Sequence, residues 1–251
     1  VAAEKEGISL KAVSGSAFDN EANAQSALAM LREQSRLTVT SVAKKVGHTS
    51  PPLLFDLTSL QKEANRKHGF SADKTLSIAQ SLYEKKITTY PRTGSRYISE
   101  DVFEEVPTLL GKIGTALPTP LNRHSVDNGK VTDHHAIIPT GVPAGGLSEM
   151  ESNVYDLVTR RFISVFYPDC KFSTTTVTGE VDDIELKATG KEILEQGWRV
   201  LYAKDTPANN DEDSAKQVAE ERTLPTFTKG EKGSHTPTLS EKWTVPPKFY
   251  T

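Results

Sequence analysis

The apolar residues of this 251-residue chain change their period twice. Between residues 54 and 168 they recur every three or four positions, the spacing of one face of a helix. After Pro168 they alternate in a run rich in Thr and Val, the spacing of a half-buried strand, and a similar run stands before the helical stretch. A helical middle between β-rich ends cannot be a single continuous sheet. The pattern predicts an α+β multidomain chain, with a mainly helical domain inserted into a β-rich one. Residues 1–53 and 169–251 are the two parts of the β-rich domain, and residues 54–168 are the insert.

Local signals fill in the elements. "DNEANAQSALAML" predicts a helix capped by Asp19 or Asn20, and "RLTVTSVAKK" a strand. The paired prolines of "HTSPPLLFDL" end that strand, because proline cannot donate to a ladder. "DLTSLQKEANRKHG" puts Leu57, Leu60 and Ala64 on one face and stops at Gly69. "SADKTLSIAQSLYEKK" opens on Ser71, "SEDVFEEVPTLL" on Ser99, and "SEMESNVYDLVTRRFISVFY" carries an apolar stripe from Val154 to Phe166. "KFSTTTVTGEVDDIELKATGKEI" reads as strands joined by a turn, with the charges of "VDDIE" at the surface. "GWRVLYA" predicts another short strand, "KDTPANNDEDSAKQVAEERT" a polar, acidic surface loop, and "LPTFTKGEKGSHTPTLSEKWTVPP" strands between Gly and Pro turns.

Composition excludes several classes. A single cysteine, Cys170, leaves no internal disulfide framework and no cysteine-cluster metal site. No apolar run is long enough for a membrane span and no leader with a cleavage site opens the chain. The expected compartment is therefore the cytoplasm. The chain begins at Val1 rather than Met, and we expect it to be a fragment of a larger protein. Its net charge of −3 does not announce a nucleic-acid binder. Yet residues 59–100 hold eight Lys or Arg against four Asp or Glu, while residues 171–251 hold eleven against fourteen. That imbalance is either a solvated helix face or a local basic surface.

The basic stretch contains "ITTYPRTGSRYISEDV", residues 87–102. A tyrosine that attacks a phosphodiester forms a phosphotyrosine and so conserves the bond energy for resealing. A phenol with a pKa near ~10 needs help to ionise, and a nearby cation supplies part of it. Tyr90 and Arg92 stand two apart across Pro91, which restricts the backbone between them. Thr93 and Ser95 add hydroxyls suited to phosphate oxygens, and Arg96 a second cation. The plain alternative is a loop tyrosine packed on a helix beside an arginine in a surface pair. A second cluster is "TDHHAIIPT", residues 132–140. Adjacent His134 and His135 point in different directions and do not readily share a metal, so phosphate binding or simple packing are the readings.

Taken together, "YPRTGSRY" after the "SLYEKK" helix, and "TDHHAIIPT" some forty residues on, resemble the type IA DNA topoisomerases. "PPLLFDLTSLQKEANRKHGFSADKTLSIAQSLYEKKITTYPRT" is similar to the topoisomerase III branch, and the resemblance extends over essentially the whole chain. It implies a piece of a four-domain toroid: the β-rich arch (1–53 and 169–251) and the inserted helical domain that holds the tyrosine (54–168). It implies that Tyr90 is the nucleophile and becomes linked to the 5′ side of a cut single strand. Arg92 then places and stabilises the scissile phosphate, and His134 helps bind DNA and support cleavage; less falls on His135.

The family's Mg²⁺ is held by a glutamate and an Asp-x-Asp set in another domain, and this sequence has no such set. The expectations are thus no cofactor in this piece, Mg²⁺ in the parent enzyme, and an isolated piece that neither cleaves nor relaxes DNA. The partners implied are single-stranded DNA and the remaining domains, with no membrane. No Gly-rich Lys-Ser/Thr loop is present, consistent with a reaction that needs no ATP. A second reading is a single-stranded DNA-binding module acting through Lys62, Arg66, Lys85, Lys86 and Arg96, with Tyr97 available for stacking. A third is a structural hinge. A tyrosine recombinase fits less well, because its tyrosine would lie near the C-terminal end.

Overall fold

Most helices here start where a side chain stands in for the missing backbone acceptors. The computed structural model describes residues 1–5, 8–34, 36–117, 120–203 and 223–241. Helix α1, Glu21–Glu33, is capped by Asn20, whose side chain accepts from the Asn23 N–H at 2.9 Å. Asp56 and Ser59 form a reciprocal capping box at the start of α2, Leu57–His68. That helix ends at Gly69 with φ 68, a left-handed conformation cheap only for glycine, and Arg66, Lys67 and His68 sit at the negative end of its dipole. Ser71 caps α3, Ala72–Glu84, and Ser148 with Glu151 forms the capping box of α5, Glu149–Val165. Helix α4, Glu100–Lys112, differs. Ser99 stands in the cap position but makes no capping bond from its side chain. The Glu100 N–H donates instead to Oδ1 of Asn128, 2.8 Å away and distant in sequence.

The strands form two sheets. β1 (Ala2–Lys5) and β2 (Ile8–Lys11) pair antiparallel, Ala2 opposite Lys11. The larger sheet has the order β3-β6-β5-β4-β7. Its members are β3 (Val13–Ser14), β4 (Arg36–Thr49), β5 (Cys170–Val181), β6 (Ile184–Glu195) and β7 (Lys232–Ser234). β4 stops at Thr49, just before Pro51 and Pro52. β5 and β6 are neighbours joined at Asp182 and Asp183, with Asp182 at φ 50. Charged residues of the "VDDIE" stretch thus sit at a turn.

One expected strand is not a strand. "GWRVLYA" forms a 3-10 turn, Gly197–Tyr202. Gly197 has φ 53, and a Cβ there would lie 2.5 Å from the carbonyl oxygens of Pro168 and Asp169. The Trp198 N–H donates to Pro168 O at 3.1 Å and its indole to Thr49 O at 2.9 Å. The Trp198 and Tyr202 rings meet edge to face at 5.8 Å. Aromatic and β-branched composition pointed to a strand, but these contacts with distant carbonyls decide the conformation. Of the strands expected at the end, β7 is described; residues 242–251, and residues 204–222 of the acidic stretch, lie outside the described residues.

By its internal contacts the chain divides into two units. One comprises Val1–Gly47, Phe172–Leu194 and Pro207–Thr251; the other comprises His48–Lys171 and Glu195–Thr206. The second unit, which holds α2 to α5, has two apolar cores. Phe55, Leu60, Ala64, Ile78, Leu82, Ile87 and Ile137 pack with Val154, Leu157 and Val158. Leu54, Ile98, Val106, Leu110, Ala136 and Ile138 pack with Phe162, Val165 and Phe166. Helix α5 therefore serves one core with its first half and the other with its second. The extended residues 136–138 do the same by alternation: Ile137 enters one core, Ala136 and Ile138 the other. The first unit has a smaller cluster of Leu31, Val181 and Leu186. Among the described residues no helix is long and apolar enough to cross a membrane.

Candidate active site

The tyrosine loop begins in an unusual exit from α3. Lys85 ends the helix and Lys86 follows at φ 61, a left-handed conformation that costs a side chain about 1 kcal/mol. The Lys86 N–H donates to Tyr83 O at 2.8 Å and the Ile87 N–H to Leu82 O at 2.9 Å. Together these bonds close a Schellman motif, a helix end that requires a residue in this conformation.

The chain then runs extended against the second motif. The Thr89 N–H donates to Ile138 O at 2.9 Å, and the Thr140 N–H to Ile87 O at 3.0 Å. The Thr89 hydroxyl donates to Ala136 O at 3.1 Å and accepts from the Ile138 N–H at 3.0 Å. Farther on, the Thr93 hydroxyl donates to His134 O at 3.0 Å, and the Ala136 N–H donates to Tyr97 O at 2.9 Å. Segments about forty residues apart are thereby laced into one unit.

The result is a ring contact. Tyr90 and His134 have ring centroids 4.5 Å apart, tilted by 46°. Tyr83 approaches Tyr90 edge-on at 5.4 Å. Tyr90 is half-buried between them, Pro91 is buried, and Arg92 and His134 are exposed. Two of the three residues singled out for catalysis are in contact, and Arg92 projects from the same loop. His135 turns aside, its Nδ1 at 2.8 Å from Ala136 O.

The remaining candidates divide. Thr93 and Ser95, expected to offer hydroxyls to phosphate, are 6 % and 3 % exposed. Their hydroxyls donate to His134 O and, at 2.8 Å, to Lys130 O, so they hold the loop together. Arg96 is half-buried and its Nε donates to Leu54 O at 3.1 Å. Beside it, Arg161 donates to Leu53 O at 3.0 Å and lies over the Phe55 ring at 4.0 Å. Arg66 pairs with Glu63 at 2.7 Å on the surface of α2. Lys62 and Lys86 are exposed. Tyr97 is half-buried with the Lys130 ammonium 4.8 Å from its ring centre.

Lys85 is held by Glu151, a residue that the sequence reading did not single out and that stands in the first turn of α5. Glu151 Oε1 accepts from Lys85 Nζ at 2.6 Å and from Ser81 Oγ at 2.7 Å. The Lys85 bond, then Ser81 and the Ser148 N–H, pull its carboxyl from 4.5 down to about 2. Among the described residues no three His, Cys, Asp or Glu side chains gather as a metal-holding group. They form no set that fits a divalent cation.

Comparison with known proteins adds kinship to this geometry. A family model for DNA topoisomerase matches residues 1–251. DNA topoisomerase 3 of Bacillus anthracis is 38% identical over 213 residues, 79% of this chain and 29% of that protein. DNA topoisomerase 3 of Bacillus licheniformis is 36% identical over 227 residues, 84% of this chain and 30% of that protein. Full-length topoisomerase I from Thermotoga maritima shares the fold, with a TM-score of 0.64 at 23% identity over 93% of this chain and 38% of that one. The chain thus spans under a third of the length of the curated relatives it matches.

Proposed function

The chain belongs to the type IA DNA topoisomerase family, and from that premise we propose that it carries the strand-cutting tyrosine of a topoisomerase III. The Tyr90 phenol loses its proton and its oxygen attacks the phosphorus of a single-stranded phosphodiester. A Tyr90 Oη–P bond forms and the P–O3′ bond breaks, leaving a 5′-phosphotyrosine and a 3′-hydroxyl that has gained a proton. A second strand passes, and attack by the 3′-hydroxyl reverses both bond changes. One phosphoester is exchanged for another, so no ATP is consumed. Arg92 neutralises the phosphate as charge develops on it. His134 orients the phenol through the ring contact and meets the DNA backbone. Lys62 and Lys86 supply further exposed cations along the strand.

The observation that carries this reading is the Tyr90–His134 contact, 4.5 Å between rings, in a loop that also projects Arg92. Mg²⁺ and the carboxylates that hold it belong, in our reading, to another domain of the whole enzyme, which works in the cytoplasm. The chain's share of under a third of its relatives supports that division. Covalent trapping tests it. A 3′-labelled single-stranded oligonucleotide is mixed with Mg²⁺, this chain and a separately produced acidic domain, then denatured. We expect a labelled protein band that disappears with Tyr90→Phe and with omission of the acidic domain. A band that persists in Tyr90→Phe overturns the nucleophile. Relaxation of a supercoiled plasmid by this chain alone overturns the division of labour.

A further inference from the structure

We propose that Glu151 is a positioning residue for the Tyr90 loop, acting through the last turn of α3; the proposal rests on Tyr90 being the nucleophile. Glu151 lies in the first turn of α5 and is 8 % exposed. One of its oxygens does what a capping box requires. Oε2 accepts from the Ser148 N–H at 2.8 Å and from the Ser148 hydroxyl at 3.0 Å. The other oxygen does something a cap does not need. Oε1 takes Ser81 Oγ at 2.7 Å and Lys85 Nζ at 2.6 Å, two donors on successive turns at the end of a different helix. Charge-assisted bonds of this length are roughly twice as strong as neutral ones.

What leaves that helix end is the candidate site. Lys86, next after the clamped Lys85, makes the left-handed exit at φ 61, and Tyr90 follows four residues later. The exit depends on Leu82 O and Tyr83 O as acceptors, both in the turn that Glu151 grips. Tyr83 in the same turn also supplies the edge that meets the Tyr90 ring at 5.4 Å. One carboxylate therefore stands behind both the start of the loop and one aromatic wall of the phenol. Lys85 is a latch in this arrangement, while the cations that meet phosphate are its neighbours. Displacements of about 1 Å remote from reacting atoms can lower a rate by up to about a hundredfold, so a slack last turn is felt at Tyr90.

Glutamine at 151 tests this cleanly, because it still suits a capping box but cannot hold Lys85 by charge. The protein to use is the full-length topoisomerase containing this chain, with Mg²⁺ and a 3′-labelled single-stranded oligonucleotide. The adduct rate constant, its final amplitude and the half-saturating oligonucleotide concentration are measured together. For Glu151→Gln we expect the rate constant to fall roughly tenfold, with half-saturation unchanged within about twofold. Lys85→Met should do the same, and the double variant should be no slower than either. A loss of amplitude alone, at an unchanged rate constant, marks a merely structural residue and overturns the proposal. So does a raised half-saturating concentration in Lys85→Met at an unchanged rate, which would make Lys85 a phosphate contact. Should Glu151→Gln not fold, Ser81→Ala and Lys85→Met are judged by the same criteria. Tyr90→Phe is the control: adduct formed by that variant refutes the nucleophile, whereas its absence beside an unaltered Glu151→Gln refutes the positioning role alone.

Discussion

Lys86 shows how a single residue joins backbone strain to the candidate chemistry. Its φ of 61 suits glycine, yet a lysine stands there, exposed, at the root of the tyrosine loop. Glycine has no Cβ to clash in this conformation, so Lys86→Gly should raise stability by about 1 kcal/mol, read from urea midpoints. If the lysine also meets phosphate, the same variant should bind single-stranded DNA a few-fold more weakly at low salt, with a shallower dependence on salt. A stabilised variant with unchanged affinity would assign Lys86 to the turn alone. This scale also separates what the sequence could express. As candidates, Tyr90, Arg92 and His134 were legible because each sits in a short run of unusual neighbours. That Tyr90 and His134 touch was not, since the bonds of Thr89 and Thr93 that join them reach across more than forty residues. The inward turn of Thr93 and Ser95 was hidden for the same reason: a hydroxyl beside a basic loop reads as a phosphate donor until its carbonyl partner is known.

At the scale of elements, helices were legible and the short strands β1 to β3 were not. Asn20, Asp56, Ser71 and Ser148 cap their own helices, so cap and periodicity lie within one window of sequence. β1 to β3 have two to four residues each and no run of β-branched side chains, so nothing local announces them. The 3-10 turn at Gly197–Tyr202 is decided by Pro168 and Thr49, which no window around it contains. The junction of α3 and α5 makes a prediction of its own. The Glu151 carboxyl is held at about 2 against an ordinary 4.5, so its contribution to stability is complete above 4.5 and is lost as the pH falls toward 2. Glu151→Gln lacks that contribution at every pH. Urea midpoints of wild type and variant should therefore differ at neutral pH and converge between about pH 4.5 and 2. A gap that stays constant through this window would mean that the carboxylate's charge does not hold the helices together.

At the scale of the whole molecule, apolar packing is unevenly divided. The unit that holds the tyrosine has two cores, one around Leu60, Leu82 and Val154 and one around Phe162, Val106 and Ile98, all essentially inaccessible to water. Among the described residues the other unit's cluster is Leu31, Val181 and Leu186, with partly buried neighbours. Each large apolar side chain taken fully from water contributes about 1.5–3 kcal/mol, so the difference outweighs any plausible difference in exposed ion pairs. The strands have ladder bonds, but those bonds are only as durable as the packing that keeps water from them. Native-state amide exchange should therefore find β4 to β6 opening at lower free energy than α2, α3 and α5, by about 2 kcal/mol or more. That order suits the proposed function: the tyrosine, its histidine and the clamp at Glu151 keep their geometry while the β-rich unit rearranges around a passing strand. Equal protection in both units would instead describe one cooperative block, and strand passage would then have to draw its motion from outside this chain.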